Sequence, residues 1–166
     1  YSIKAQPTLT FVARQKGEAW NRPFVAVYEP STVKEPSCIA SVDYPQVKSE
    51  QQGSHVGIRV ALTNGNVDWI LSSDENAHHC KLEKLQVRAS YALCRQSEKG
   101  ETLQAFLGNG TQLEADGVSI RTDAPADVLL LKQDGKWMYT ATAPCRVVVD
   151  KKKYTLSVAR ELHPLS

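Results

Sequence analysis

The feature that most limits the fold of this chain is an alternation of apolar and polar residues at every second position, repeated along nearly the whole sequence. It is clearest in HVGIRVAL (55–62), VDWILSS (67–73) and KLQVRASYALC (84–94), which are rich in branched apolar and aromatic residues. No segment keeps an apolar stripe with the 3.6-residue period of an amphipathic helix over three turns. The sequence therefore predicts an all-β protein.

Nine further segments either alternate in this way or form short apolar runs: LTFVA (9–13), FVAVYE (24–29), SCIASVD (37–43), TLQAFLG (102–108), GVSIRT (117–122), DVLLLKQ (127–133), KWMYTAT (136–142), CRVVVD (145–150) and YTLSVAR (154–160). Asn64-Gly65, Asp116-Gly117 and Asp134-Gly135 supply the positive φ values that tight hairpins need. About a dozen antiparallel strands predict a single domain, residues 1–166, built as a two-layer antiparallel β-sandwich. A jelly roll or a distorted barrel is the nearest alternative.

Several polar motifs are interpreted as turns or strand ends. Asn109-Gly110-Thr111 matches a glycosylation sequence, but its Gly-Asn-Gly context suits a tight turn, which is the preferred interpretation. Lys151-Lys152-Lys153 lies in the hairpin turn between CRVVVD and YTLSVAR, and solvation accounts for it better than an anion site. Acidic residues such as Asp68 and Asp127 are expected to be solvated or to bond within turns.

Charge and composition argue against several classes of protein. With 20 basic and 18 acidic residues the formal net charge is only +2, which does not indicate a nucleic-acid partner. No stretch approaches the roughly 18 apolar residues of a membrane span. The first residues, Tyr-Ser-Ile-Lys, contain neither methionine nor a signal-peptide core, which predicts a processed protein or a piece of a longer one.

The four cysteines are widely spaced and form no CxxC pair, which argues against a zinc knuckle or a thioredoxin-like centre. Each lies in an apolar, strand-like context, so free buried thiols are favoured over disulfides in a chain long enough to build a core. If disulfides formed, three pairings would be open among Cys38, Cys80, Cys94 and Cys145.

Residues that could support catalysis or metal binding are sparse. The four histidines are His55, His78, His79 and His163, and none lies in a recognisable acid–base motif. His78 and His79 precede Cys80, but adjacent residues on an extended chain point to opposite faces, which disfavours a shared metal ion. Neither a GxSxG nucleophile elbow nor a DxDxDG calcium loop is present. The sequence thus predicts no catalytic residue, no cofactor and no metal site in this chain.

The segment RQKGEAWNRP (14–23) combines basic side chains with a tryptophan, directly before FVAVYE, which is expected to be a core strand. Arginine forks match carboxylate and sulfate groups, and a flat aromatic ring can stack on a sugar, so this segment suits an acidic polysaccharide. The candidate binding residues are Arg14, Lys16, Trp20 and Arg22. A bend whose tryptophan shields the sandwich edge is slightly favoured over a binding surface. Trp69 and Trp137 are expected to pack between the sheets.

Three stretches resemble one family. ARQKGEAWNRPFVAVYEPS (13–31) is similar to a segment of the form ARxxGxxWxRPFVAVYEP in the C-terminal β-region of heparinase II/III-type polysaccharide lyases. TNGNVDWILSSDE (63–75) resembles a hairpin of that region, and ETLQAFLGNGTQLEADGVSI (101–120) resembles its strand, glycine-rich turn and strand. The likeness runs from about Thr8 to Ile120. In the first segment it is carried by Gly17, Trp20, Arg22, Pro23, Phe24 and Tyr28.

The resemblance implies a parent enzyme with an N-terminal α/α toroid followed by antiparallel β-domains. Its catalytic Tyr, His and Asn or Glu residues would lie in the toroid and the first β-domain. The implied reaction is β-elimination at a uronic acid of an acidic polysaccharide, in which a base abstracts the C5 proton and the 4-linked sugar departs. This chain has no helical segment for a toroid, so no catalytic residue is carried over. A secreted or periplasmic location is also implied.

Three functions therefore remain open. The leading hypothesis is a non-catalytic C-terminal β-sandwich of a polysaccharide lyase, packed against its catalytic domain and adding a basic rim to the cleft. The second is an independent carbohydrate-binding module for heparin, heparan sulfate, chondroitin or alginate. The third is a structural or protein-interaction sandwich, which a large apolar patch on one outer face would favour.

Overall fold

The structure is a computed structural model that describes residues 25–50, 55–74 and 78–165, and all regular elements in these ranges are β-strands. The strands are β1 (Ile39–Asp43), β2 (Lys48–Ser49), β3 (His55–Leu62), β4 (Val67–Ser73), β5 (Cys80–Leu82), β6 (Leu85–Gln96), β7 (Thr102–Ala115), β8 (Val118–Gln133), β9 (Lys136–Ala141), β10 (Cys145–Val149), β11 (Lys152–Leu156) and β12 (Ala159–Pro164). Among the described residues there is no helix that could cross a membrane.

Three long strands at the centre of the sheet, β6, β7 and β8, belong to both layers of the sandwich. β6 pairs with β5 near Val87 and with β4 from Tyr91 onward. β8 pairs with β10 as far as Thr122 and with β9 from Val128 onward. The first layer therefore contains β2, β5, β10 and β11 with the adjoining halves of the long strands. The second layer contains β1, β3, β4, β9 and β12 with the other halves.

The sheet bends where the register of the long strands shifts. Shifts occur between Arg88 and Ala89 of β6 and on both sides of Gly110 in β7. Asn109 has a positive φ of 46°, and a Cβ added to Gly110 would lie 2.4 Å from the Cβ of Ala89. The prediction of a tight turn at Asn109-Gly110-Thr111 is therefore wrong. The motif bends a continuous strand, because one left-handed residue can kink a strand without reversing it.

The apolar side chains that point inward from the two layers form one core cluster. Its largest fully buried members are Leu71, Leu107 and Leu130 of the second layer and Leu82, Leu113 and Ile120 of the first. The strands of the described residues run in order from β1 to β11 without closing on themselves, so they do not form a closed barrel. The predicted all-β, two-layer antiparallel sandwich is confirmed.

The predicted hairpin turns are present and join β3 to β4, β7 to β8 and β8 to β9; they are Asn64-Gly65, Asp116-Gly117 and Asp134-Gly135. The basic run is divided between a turn and a strand. Asp150 and Lys151 form the turn, with φ values of 49° and 68°, whereas Lys152 and Lys153 begin β11. All three lysines are exposed, as expected for a solvated hairpin.

The segment predicted to be a core strand before β1 is not one in its described part. Residues 25–29 form no strand, and Val27 and Tyr28 are 38% and 82% exposed. Glu29 instead accepts a hydrogen bond of 2.7 Å from the backbone amide of Cys38 and another from the hydroxyl of Ser37. An alternating segment forms a strand only where its backbone groups can also hydrogen-bond to the edge of another strand. Phe24 and LTFVA lie outside the described residues.

The four cysteine thiols are free in the structure. Cys80, Cys94 and Cys145 are buried, as predicted, whereas Cys38 is exposed, which corrects the expectation that all four are buried. Burial raises the pKa of both Cys94 and Cys145 to about 11. A hydrogen bond to the Glu29 carboxylate raises the pKa of the Cys38 thiol.

Brief maleimide labelling of the native protein is expected to modify one thiol, Cys38, and labelling in urea all four. The other thiols are shielded by the core, and the thiolate is the reactive species. Mass spectrometry counts the adducts. Cys38→Ser should leave the native protein unlabelled. Glu29→Gln should speed the labelling of Cys38, because it removes the carboxylate whose hydrogen bond raises the pKa of this thiol. Native labelling of Cys94 would contradict the described packing.

Candidate functional site

Three arginines lie on the outer face of the first layer, each on a different strand. They are Arg88 of β6, Arg121 of β8 and Arg146 of β10. Each falls between two buried residues of its own strand. Because successive side chains of a strand point to opposite faces, burial of both neighbours turns the arginine toward solvent.

The strand register places these arginines in one row across the sheet. Arg88 is paired with Gln112 of β7, and Gln112 is paired with Arg121. Arg121 is in turn paired with Arg146. Neighbouring strands are about 4.8 Å apart, so the row extends over roughly 14 Å. Residues distant in sequence are thus gathered into one basic surface, called the arginine row below.

Carboxylates offset part of the repulsion within the arginine row. Like charges directly opposite each other destabilise a sheet, and Arg121 and Arg146 are such a pair. Arg121 Nη2 donates to Glu114 Oε1 at 2.7 Å, and Arg146 Nη2 donates to Asp123 Oδ1 at 2.6 Å. The two arginine side chains remain 57% and 67% exposed. Arg88 is exposed and makes no ion pair with any residue in the described ranges.

The arginine row lines an open groove with a volume of about 520 Å³. The other lining residues are Glu50, His79, Thr111, Gln112 and Thr122. His79 Nδ1 lies 4.0 Å from Glu50 Oε1, and both side chains form part of the groove wall. Hydroxyl and amide groups can exchange hydrogen bonds with sugar hydroxyls. The guanidinium group of an arginine can donate two hydrogen bonds to a carboxylate or a sulfate group on the sugar. The groove therefore combines both kinds of contact that an acidic sugar requires.

Lysines extend the positive charge beyond the groove. Lys48 of β2 is paired with Lys81 of β5, and both are exposed. Lys153 of β11 is exposed at the opposite edge of the same layer, paired with Val148. A surface with an excess of positive charge attracts polyanions at a distance and loses this attraction at high salt.

Two of the described side chains that line the groove could act as a general acid or base. A general base must be able to take a proton at the working pH and must reach the reacting atom. In the groove as described, Glu50 and His79 are the lining groups of that kind, and they lie beside each other. The described residues also contain no group of three or more His, Cys, Asp or Glu side chains that could hold a metal ion.

The residues proposed from sequence as a polysaccharide contact lie outside the described residues, so that prediction stays untested. They are Arg14, Lys16, Trp20 and Arg22. The arginine row was not foreseen from the sequence. A usable signal was present, since each of its arginines is flanked by apolar or small residues within a predicted strand. What the sequence lacked was the register that brings the three strands together.

Both tryptophans predicted to pack between the sheets do so. Trp69 and Trp137 are partly buried and pack against the core cluster. Trp69 Nε1 donates to Gln96 Oε1 at 3.0 Å, and Trp137 Nε1 donates to Asp150 Oδ2 at 3.3 Å. Their indole groups are thus engaged within the domain.

The adjacent histidines have separate surroundings. The ring of His78 lies 6.2 Å from the ring of His55, whereas His79 lies beside Glu50. His55 Nδ1 is 3.6 Å from the Sγ atom of Cys80. The two neighbouring imidazoles therefore face different groups.

Comparison with known proteins identifies the family of this chain. The family model described as the endo-acting ulvan lyase C-terminal domain matches residues 45–132, which is more than half of the chain. The chain belongs to this family. The match extends from before β2 almost to the end of β8, so it includes Arg88 and Arg121 and stops before Arg146.

One relative of this chain is a much longer protein. The endo-acting ulvan lyase of Formosa agariphila is 29% identical to this chain over 122 residues. The aligned region covers 71% of this chain but only 14% of the relative. The predicted identity as a C-terminal domain of a polysaccharide lyase is confirmed at this level.

Proposed function

We propose that this ulvan lyase C-terminal domain is a non-catalytic module that binds the acidic polysaccharide of its parent lyase through the arginine row. The observation that carries the proposal is the register that aligns Arg88, Arg121 and Arg146 along one open groove. Arginine binds carboxylate and sulfate through paired hydrogen bonds, which a neutral sugar cannot match. Binding here would hold the polymer near the catalytic domain.

The proposed ligand is ulvan, for which the relative is named, or another polysaccharide that contains uronic acid. A lyase that works by β-elimination needs a uronate beside the bond that it breaks, so its substrate carries repeated carboxylates. A row of cations about 14 Å long can meet more than one such group on the same chain. Each added contact contributes to the affinity of a single polymer.

Further features of the proposal concern the parent protein. We infer a parent of the heparinase II/III type that is secreted or periplasmic, with this chain as one domain over residues 1–166. β-Elimination would take place in the preceding catalytic part. Arg14, Lys16, Trp20 and Arg22 would add a second contact to the same class of polysaccharide.

Affinity electrophoresis tests the binding role. The chain is expected to be retarded in gels that contain ulvan or alginate, and not in gels that contain a neutral glucan. Arg88→Ala should weaken binding roughly tenfold, because a charge-assisted hydrogen bond of about 1.4 kcal/mol is lost. Raising the salt concentration should release the chain from both acidic gels.

The matched control is Arg160→Ala, which removes an exposed arginine from β12 of the second layer. It leaves the arginine row intact, so retardation should not change. Equal weakening by the two substitutions, or no retardation in either acidic gel, would rule out the groove as the binding surface. Release of ultraviolet-absorbing unsaturated uronides by the chain alone would contradict the non-catalytic role.

A further inference from the structure

The outer face of the second layer carries a row of large apolar side chains beside the Asp68–Arg95 ion pair, whereas the outer face of the first layer is basic. Five strands each present one large apolar side chain there: Ile58 of β3, Ile70 of β4, Leu93 of β6, Phe106 of β7 and Leu129 of β8. All five are partly exposed, and the core cluster of the described residues does not include them. They are called the apolar row below.

The register makes this a continuous surface. Ile58 is paired with Ile70, Ile70 with Leu93, Leu93 with Phe106, and Phe106 with Leu129. At about 4.8 Å per strand, the row extends over roughly 19 Å. The ring of Tyr91 lies 5.9 Å from the ring of Phe106 and widens the surface, with 37% of Tyr91 exposed.

Along this row the strands of the second layer therefore carry apolar side chains on both faces. The neighbours of Leu93, which are Ala92 and Cys94, point into the core and are almost fully buried. An antiparallel sheet with one solvated face normally carries polar side chains on that face. Large contiguous apolar patches on soluble proteins mark interaction sites. The apolar row therefore indicates a surface that another polypeptide covers.

We propose that the apolar row docks against the catalytic part of the parent lyase, an inference that rests on the proposed function. Family membership is the reason for proposing this partner. The aligned part of the relative is 14% of its length, so most of that lyase lies outside the match. A covalently attached partner has a high effective concentration, whereas a second copy must be recruited from solution. Docking through the second layer leaves the arginine row of the first layer open to polysaccharide.

Met138 provides a direct probe of this contact. It is the single methionine of the chain and lies on β9, paired with Leu131, beside the apolar row. It is partly exposed between buried Tyr139 and core-packed Trp137. Its oxidation by peroxide to the sulfoxide therefore depends on what covers this face.

The experiment compares Met138 oxidation in the 166-residue chain and in the full-length parent lyase, by peptide mass spectrometry. A cooperative melting transition first establishes that the separate chain is folded. Oxidation is expected to be at least fivefold slower in the full-length lyase. Phe106→Asp should bring the full-length rate close to that of the separate chain. Val148→Asp, at a partly exposed apolar position on the outer face of the first layer, should leave the protection unchanged.

The outcomes separate the alternatives. Equal Met138 oxidation rates in the two proteins would overturn the docking proposal. It would also be overturned if protection of Met138 in the separate chain increased with protein concentration and sedimentation showed a dimer. If Phe106→Asp lowers the melting temperature of the separate chain, Leu93→Gln replaces it as the test. Gel retardation measured with Arg88→Ala reports on the arginine row alone. Met138 protection without retardation would therefore remove the polysaccharide-binding role and keep the lyase interface.

Discussion

Replacement of Gly110 by alanine is expected to lower the free energy of unfolding by about 3 kcal/mol, at the upper end of the usual cost of overpacking. A Cβ at this position would lie 2.4 Å from the Cβ of Ala89, 2.6 Å from the carbonyl oxygen of Arg88 and 2.7 Å from Cδ1 of Leu107. The oxygen belongs to the backbone of β6, which cannot move without disturbing the bend shared by both layers. Thermal unfolding should show a fall in the melting temperature of roughly 10 °C.

Gly135→Ala is the matched control for this prediction. Gly135 has a φ of 75° in the turn between β8 and β9, and a Cβ there would meet nothing within 4 Å. Alanine should therefore cost only about 1 kcal/mol, from the left-handed backbone. If the two substitutions destabilise the protein equally, the close approach of β7 to β6 is not the reason that position 110 requires glycine.

Arg95→Met is expected to cost about 3 kcal/mol of folding free energy, because it leaves a buried carboxylate without its counter-ion. Arg95 of β6 and Asp68 of β4 are register partners, and Nε and Nη2 of the arginine donate to the two carboxylate oxygens at 2.7 Å each. The Asp68 side chain is only 10% exposed. The hydrogen bonds to Asp68 raise the pKa of Arg95, as expected for an arginine held by a carboxylate.

Two further variants distinguish the ion pair from general damage. The double substitution Asp68→Val and Arg95→Met should recover most of the stability, because apolar pairs often replace buried ion pairs without loss. Asp43→Ala breaks the more exposed Arg59–Asp43 pair and should cost less than about 1 kcal/mol. Denaturant unfolding measures all three. A double variant as unstable as Arg95→Met would show that the arginine acts through packing instead.

The parts of the fold that depend on local chemistry were predictable. Val, Ile and Leu recur through β3, β4 and β6, in alternation or in short apolar runs, and this pattern is sufficient for a strand wherever a partner strand exists. Asp134-Gly135 placed one hairpin correctly, because positive φ values are a property of the residues themselves. The resemblance to polysaccharide lyases, carried in part by residues 63–75 and 101–120, also agreed with the family that the chain belongs to.

The failures share a different cause, which is dependence on distant neighbours. Residues 25–29 alternate but find no strand partner in the described chain. Asn109-Gly110 has the composition of a turn but bends a strand held between two others. Asp68 was expected to be solvated, yet it is 7% exposed because Arg95 comes to lie opposite it.

The sequence by itself determined that this protein is a stack of antiparallel strands with sharp hairpins, because side-chain alternation and turn residues act over only a few positions. The tertiary structure alone decided which side chains share a face. Arg88 and Arg146 are 58 positions apart in the chain, and strand register alone brings them together with Arg121. The same register collects the apolar row on the other layer. Register arises from pairing and core packing over the whole domain, so no local stretch of sequence contains it.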